Sequence, residues 1–121
     1  MATGVTDHRQ LVVWQKGIDL ALRTYRLSAR FPREETYGLT SQIRRAAVSI
    51  PANIVEGNGR SHRREYANHV SIARGSLREV ETLAEIACGL GYVQKEELAE
   101  FRELLDHVGR MLTRLVKRLG I

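Results

Sequence analysis

The sequence predicts an all-α protein, an antiparallel up-down-up-down four-helix bundle over residues 10–121, preceded by a short N-terminal tail, residues 1–9. Apolar residues recur at spacings of three and four through most of the chain, which is the period of a helix with one buried face. Only two prolines interrupt the 121 residues, a length that suits one hydrophobic core. Four long helices with short connections pack most economically with neighbours running in opposite directions.

The first two helices are predicted over residues 10–30 and about 35–56. Phe31-Pro32 separates them, because proline disfavours the helical conformation in the residue before it. Within the second helix, Pro51 removes one backbone hydrogen bond and clashes with the carbonyl of Ala47, four residues back. A kink or a short break is therefore expected near Pro51.

The third and fourth helices have the clearest apolar patterns. Gly57-Asn58-Gly59 ends the second helix, and Ser61 is the predicted N-cap of a third helix that continues to about residues 89–91. Gly75, inside that helix, predicts a close approach by a neighbouring helix. The fourth helix is predicted over residues 95–119, where apolar residues alternate at intervals of three and four.

A second apolar set accompanies these two buried faces. Its members are Ile72, Leu83, Ile86 and Leu90 on the third helix and Leu104, Met111 and Val116 on the fourth. One bundle core needs an apolar stripe somewhat over 100° wide, and these faces are wider. The surplus predicts a subunit interface and hence a homo-oligomer, and the alternative is that it merely widens the core.

Charge and composition limit the function classes. The net charge is +5, and residues 1–64 hold 11 Lys/Arg against 5 Asp/Glu, so the basic excess lies in the first half of the chain. An acidic partner is plausible on this basis. No apolar run is long enough to span a bilayer and no secretory signal is visible, so a cytoplasmic protein without membrane contact is expected. Cys88 falls at an apolar helical position and is interpreted as a buried free thiol.

Motifs for catalysis are missing, so the sequence predicts neither an enzyme nor a cofactor. There is no Gly-x-Ser-x-Gly, no Cys paired with a nearby His, and no Walker or dinucleotide-binding pattern. Glu65 and His69 are four residues apart, as are Glu103 and His107, but neither pair has the Glu-x-x-His spacing of bundle metal sites. Solvated or core-edge histidines are the favoured interpretation, and no metal is predicted.

Arginines cluster where the third helix begins. Arg60, Arg63 and Arg64 surround the helix start, where free amide groups and the helix dipole already favour an anion. These three are the first candidates for nucleic-acid contact through phosphates, and the alternative is an ordinary capped turn with solvated arginines. The further candidates are Arg44 and Arg45 on the second helix and Arg74 on the third.

A polar stripe runs along the second helix beside its apolar face. Its members are Gln42, Arg45, Ser49, Asn53 and Glu56. The stripe could line a partner-binding surface. The favoured interpretation is structural: Glu56 pairs with an arginine of the third helix, and Asn53 satisfies backbone freed by Pro51.

Several strings of the sequence together resemble a known family. They are LVVWQK at residues 11–16, GLTSQIRRAAVSIPANIVEG at 38–57, IARGSL at 72–77 and LGY at 90–92. The chain closely resembles, from about residue 11 to 119, the four-helix-bundle family encoded in intervening sequences of bacterial large-subunit (23S) ribosomal RNA genes. Gly17 stands where that family's pattern more often has alanine.

The resemblance implies a bundle that assembles into a ring, a pentamer, with a basic surface suited to nucleic acid. A similar fold is found in the accessory variability proteins of diversity-generating retroelements, which bind RNA and a reverse transcriptase. The sequence is therefore interpreted as a non-enzymatic, homo-oligomeric nucleic-acid-binding protein, with structured RNA favoured over DNA. The alternative is an oligomeric scaffold that recruits a protein partner without nucleic acid.

Overall fold

A computed structural model describes residues 7–120, and it contains four α-helices. They are α1 (Val12–Ser28), α2 (Leu39–Asn58), α3 (Arg63–Gly89) and α4 (Lys95–Leu119), with short 3-10 turns at His8–Gln10 and Arg33–Glu35. No strand occurs in this part of the chain, so the all-α class with four helices is confirmed. The first six residues of the expected N-terminal tail, and Ile121, lie outside the described residues.

The apolar faces of all four helices meet in one core. The largest fully buried apolar side chains are Phe101, Leu20, Ile43, Ile50, Ile54 and Leu112. Burial of a side chain of this size stabilises the fold by about 1.5–3 kcal/mol. Between residues 7 and 120, no helix is both long and apolar enough to cross a membrane.

Contacts between neighbouring helices run in opposite sequence order. Along the pair α2 and α3, Ser49 Oγ accepts a hydrogen bond from Ser76 Oγ at 2.8 Å, and Asn53 Oδ1 lies 2.9 Å from His69 Nδ1. Thus the residue numbers of the contacting side chains increase along α2 while those of their partners decrease along α3. Between α3 and α4, the contacts pair Leu77 with Gly109 and Glu85 with Arg102.

Pro51 does not break α2, so the expected short break is wrong. The helix continues through it from Leu39 to Asn58, and Pro51 itself is buried. Gly17 of α1 lies against it: a Cβ on Gly17 would be 3.4 Å from Pro51 Cβ. Proline costs the helix one hydrogen bond, and burial of its ring between α1 and α2 offsets that loss.

Two helix starts differ from the sequence prediction. The second helix begins at Leu39 rather than near residue 35, because Glu35 belongs to a 3-10 turn and its Oε1 accepts a hydrogen bond from the Leu39 amide at 3.1 Å. The N-cap of α3 is His62 rather than Ser61, and its extended backbone makes no side-chain capping bond. Cap positions depend on one or two residues of backbone conformation, which apolar periodicity does not resolve.

The second apolar set divides into two groups. Leu83 is buried, and Leu104, Met111 and Val116 pack half-buried against the core, so these four only widen it. Ile72, Ile86 and Leu90 remain about half exposed along α3, at 52%, 47% and 55%. These last three form an uncovered apolar ridge on the single chain, which we call the α3 ridge.

Candidate nucleic-acid interface

One end of the bundle is strongly basic. The end of α2, the start of α3 and the end of α4 meet there, since α3 begins where α2 ends and α4 terminates beside them. Arg63 Nη1 lies 4.0 Å from the position that a Cβ on Gly120 would occupy. Five basic residues are therefore grouped as the basic end: Arg60, Arg63, Arg64, Lys117 and Arg118.

The charge of α4 reaches the first turn of α3. Burial raises the pKa of the Tyr66 phenol, and the positive charge of Arg118 opposes this by lowering it. Tyr66 is half-buried and packs against the core, as the sequence indicated, so its ring is not a free platform for stacking bases. Binding at this end would therefore rest on charge rather than on base recognition.

The basic end has no internal counter-charge among the described residues. Across residues 7–120, none of its five cations lies within 4.0 Å of a carboxylate oxygen, whereas ion pairs form elsewhere, as between Arg78 and Glu81. Arg60, Arg63 and Arg64 are exposed. Lys117 and Arg118 also favour the negative end of the α4 dipole, which accounts for part of their placement. Exposed cations close together repel one another, and a phosphate relieves that repulsion.

Arg44, in contrast, is engaged within the protein. Its Nε donates a hydrogen bond to Ser28 Oγ at 2.8 Å, and its Nη2 donates to the Tyr25 carbonyl at 3.3 Å. The guanidinium also lies 4.7 Å from the centre of the Tyr25 ring, a cation–π distance. This arginine thus ties α2 to the last turn of α1, and it lies away from the basic end.

The two remaining arginine candidates lie on separate surfaces. Arg45 is exposed on the outer side of α2 and donates a hydrogen bond to Ser41 Oγ at 3.0 Å. Arg74 lines a groove between α3 and α4 together with Arg78, Arg110 and Arg114. The structure therefore brings together only Arg60, Arg63 and Arg64 of the six candidates.

The sequence interpretation missed the basic residues of α4. Arg110, Arg114, Lys117 and Arg118 recur at intervals of three and four, so they share one side of that helix. This periodicity was available in the sequence. Their partners were not, because proximity to Arg63 or Arg74 depends on how α3 and α4 pack.

The C-terminal part of the polar stripe of α2, from Ser49 to Glu56, forms a seam of polar contacts with α3. Asn53 Nδ2 donates to the Ser49 carbonyl at 2.8 Å, whereas the carbonyl that Pro51 leaves without an amide partner is that of Ala47. Glu56 lies 3.5 Å from His69 Nδ1, so its expected arginine partner is replaced by a histidine. Asn53 and Glu56 therefore keep the structural role that the sequence predicts, but their contact partners differ from the predicted ones.

His69 points into this seam rather than toward a group of metal ligands. Its side chain is only 18% exposed and contacts Asn53 and Glu56. Considering residues 7–120, no three His, Cys, Asp or Glu side chains are placed to hold one metal ion. Cys88 is a free, half-buried thiol.

Comparison with known proteins identifies the family. A family model described as 23S rRNA-intervening sequence protein matches residues 9–114. The fold is also similar to the crystal structure of a protein with unknown function from the S23 ribosomal protein family of Bacteroides thetaiotaomicron, with a TM-score of 0.81 and 24% identity over 88% of this chain and 99% of that one. No curated protein matches.

These findings confirm the resemblance seen in the sequence strings. The likeness to the Bacteroides structure, at 24% identity, concerns the fold alone. The family match covers most of the chain, including all of α1, α2 and α3 and most of α4. The chain belongs to the 23S rRNA-intervening sequence protein family.

Proposed function

We propose that this protein is a non-enzymatic, homo-oligomeric RNA-binding protein that contacts structured RNA through phosphates at the basic end. The observation that carries the proposal is the group of five cations without a carboxylate partner among residues 7–120. Lys and Arg contacts with phosphates supply most of the affinity of such binding and make it steeply dependent on salt. The family's association with 23S rRNA sequences is consistent with an RNA ligand.

The bundle geometry supports this placement. Opposite-order contacts between consecutive helices support an antiparallel up-down-up-down arrangement, in which the ends of α2 and α4 and the start of α3 share one end of the protein. Free amides in the first turn of α3 add to the attraction for an anion. RNA is favoured over DNA because contacts without base readout recognise shape and backbone, including the 2′-hydroxyl.

The direct test is binding of labelled structured RNA and of duplex DNA, measured by fluorescence anisotropy across a salt series. Substitution of Arg60, Arg63 and Arg64 together by alanine should lower the slope of log K against log salt by about 2 to 3, roughly 0.7–0.9 for each arginine that binds a phosphate. The matched control replaces Arg26, Arg33 and Lys95, three exposed cations toward the opposite end, by alanine. An unchanged slope in the first variant, or an equal loss in both, contradicts the proposal.

The α3 ridge supports assembly. Ile86 and Leu90 are one turn apart on α3, Ile72 lies on the same side about 21 Å along the helix axis, and exposed apolar residues grouped on one side are typical of protein interfaces. A ring of five copies is the assembly that the family resemblance implies. Light scattering should then give five times the 13.7 kDa of one chain. Ile72→Glu with Ile86→Glu should lower that mass, and Leu22→Glu, an equally exposed leucine of α1, should not.

The same ridge favours the second candidate function, a scaffold that recruits a protein partner. The two functions differ in what nuclease treatment does to a pull-down. Partners that disappear with nuclease are held through RNA, as the first proposal expects. Partners that survive nuclease and are lost with Ile72→Glu would support the scaffold instead.

A further inference from the structure

A groove between α3 and α4 is lined by four arginines. It has a volume of about 410 Å³, which lies within the usual range for ligand-binding clefts. Arg74 and Arg78 come from α3, and Arg110 and Arg114 come from α4. The basic end, in contrast, takes its arginines from the first turn of α3, the loop before it and the last turn of α4.

The floor of the groove is apolar and stays open because one residue has no side chain. Leu77 and Leu105 are buried there, at 6% and 2% exposure. Gly109 lies between them, and a Cβ at this position would come within 3.1 Å of Leu77 Cδ2. Any larger residue would push against Leu77 or fill the groove, so Gly109 keeps both the helix approach and the open floor.

The groove has more positive charge than it neutralises. Its carboxylates are those of Glu81 and Asp106, and Glu81 pairs with Arg78 at 3.3 Å. Within the described part of the chain, Arg74, Arg110 and Arg114 have no carboxylate oxygen within 4.0 Å. Four arginines and two carboxylates line the groove, so an excess of positive charge remains, and such an excess favours an anionic ligand, above all one with several phosphates.

The spacing of the arginines selects a narrow, extended ligand. On each wall the two arginines are four residues apart, which corresponds to about 6 Å along the helix axis. The groove has a volume of only about 410 Å³ and lies between two packed helices, so it is too small to admit a nucleic-acid duplex. A single strand is thin enough to enter with its phosphates along the arginine rows.

We infer that the groove between α3 and α4 binds a single-stranded segment of RNA, with phosphates on Arg74, Arg110 and Arg114 and base faces over the apolar floor. No aromatic side chain lines the groove, so affinity rests on phosphate contacts rather than on base stacking, and phosphate contacts tolerate many sequences. This site adjoins the basic end through Arg114, which lies near Lys117 and Arg118, but Arg74 and Arg110 belong to the groove alone. Binding of structured RNA at the basic end and binding of single-stranded RNA in the groove can therefore be tested independently, with variants of different arginines.

The test uses the full chain and a short, unstructured, labelled RNA oligonucleotide in fluorescence anisotropy. Arg110→Gln with Arg114→Gln should weaken binding about a hundredfold, roughly tenfold for each charge-assisted hydrogen bond to phosphate that the variant cannot make. The salt slope should fall by about 1.4, because each arginine bound to a single-strand phosphate contributes about 0.7. Arg33→Gln with Lys95→Gln removes the same charge elsewhere on the surface and should leave affinity within about twofold, the size of a general charge effect.

A second variant tests the two walls together. Arg74→Gln with Arg110→Gln removes one exposed arginine from each helix, so it should weaken oligonucleotide binding as strongly as the first variant does. Circular dichroism establishes that each variant is folded. Wild-type affinity in either groove variant would overturn the inference.

Three further outcomes would also overturn the inference. Loss of oligonucleotide binding in the Arg60, Arg63 and Arg64 variant, with the groove variants unaffected, would overturn the inference by locating the single strand at the basic end. Binding of inorganic pyrophosphate without oligonucleotide binding would overturn it in favour of a small anion. A change of oligomeric mass in the groove variants would overturn it by showing a subunit contact there instead.

Discussion

The contact between α2 and α3 and the contact between α3 and α4 are built from similar amphipathic helices, yet they differ in kind. The α2–α3 seam is closed by small residues and by hydrogen bonds among Ser49, Ser76, Asn53 and His69. The α3–α4 contact is apolar where the helices pack, and on the protein surface it opens into a groove bordered by arginines. The first contact is specialised for stability, and the second leaves surface free for a ligand.

The difference arises from what each crossing places against the partner backbone. Gly57 of α2 lies so close to α3 that a Cβ there would be 2.8 Å from Tyr66 Cδ1 and 2.9 Å from His69 Cβ. Gly75, on the same helix α3, has nothing within 4 Å of its Cβ position, and the close approach expected at Gly75-Ser76 is made by Ser76, whose Oγ donates to Ser49 Oγ at 2.8 Å. A glycine in a helix therefore does not by itself locate a helix contact.

The largest effect is expected at Gly57. Gly57→Ala should destabilise the protein by about 2 kcal/mol, the size of overpacking in a tight contact, because Tyr66 and His69 must move. Gly75→Ala is the matched control and should stabilise it by about 1 kcal/mol, since alanine restricts the unfolded chain and meets open space. Urea unfolding of both variants measures the comparison. The same sign for both would contradict it.

The next effect is expected in the hydrogen-bonded seam. Asn53→Ala removes the bond to the Ser49 carbonyl and the contact with His69, and it should cost about 1.5 kcal/mol. A double-mutant cycle with His69→Ala isolates the pair. Additive single effects would show that Asn53 and His69 stabilise α2–α3 packing independently.

A smaller effect is expected from the surface ion pair between α3 and α4. Arg102 and Glu85 pair with side chains 46% and 44% exposed, so their coupling should be about 0.5 kcal/mol in a double-mutant cycle. High salt should abolish it, because exposed charges are screened. A coupling as large as that of Asn53 with His69 would remove the distinction between the two contacts.

The smallest effect concerns pH at the start of α4. The hydrogen bond from Arg30, followed by that from the Gln94 amide, lowers the pKa of the Glu97 carboxyl below its ordinary 4.5. A lowered pKa in the folded state contributes stability above the ordinary value, and that stability is lost as pH falls through the lowered one. Glu97→Gln keeps an acceptor for Gln94 and should make acid unfolding less steep below about pH 4.5. Identical acid profiles in the two proteins would refute this role.

Local pattern was a good guide to the elements and a poor guide to their interactions. The 3.6-residue period predicted α3 and α4 almost to their ends, because apolar spacing along one helix is a local property. The short break expected at Pro51 does not occur, and Gly17, on another helix, lies against the proline ring. The capping box of Gln94 and Glu97 at the start of α4 was missed, although its residues are only three apart in the sequence.

The candidate site divides in the same way. Arg60, Arg63 and Arg64 could be grouped from the sequence because they are close in the chain and begin one helix. Arg44 could not be separated from them without Tyr25 and Ser28, which hold its guanidinium from a different helix. A sequence shows which residues are charged, but the three-dimensional structure decides which of those charges another side chain neutralises.

By itself, the sequence determined four amphipathic helices, the core-facing residues of α2, α3 and α4, the family, and a surplus of positive charge at the start of α3. Only the tertiary structure decided which charges share a surface, joining Arg63 to the end of α4 and Arg74 to Arg110 and Arg114. The physical reason is that helix formation depends on neighbours within a few residues, whereas a binding surface depends on side-chain sizes where helices cross. Gly57 closes one crossing, and Gly109 keeps the floor of the other open.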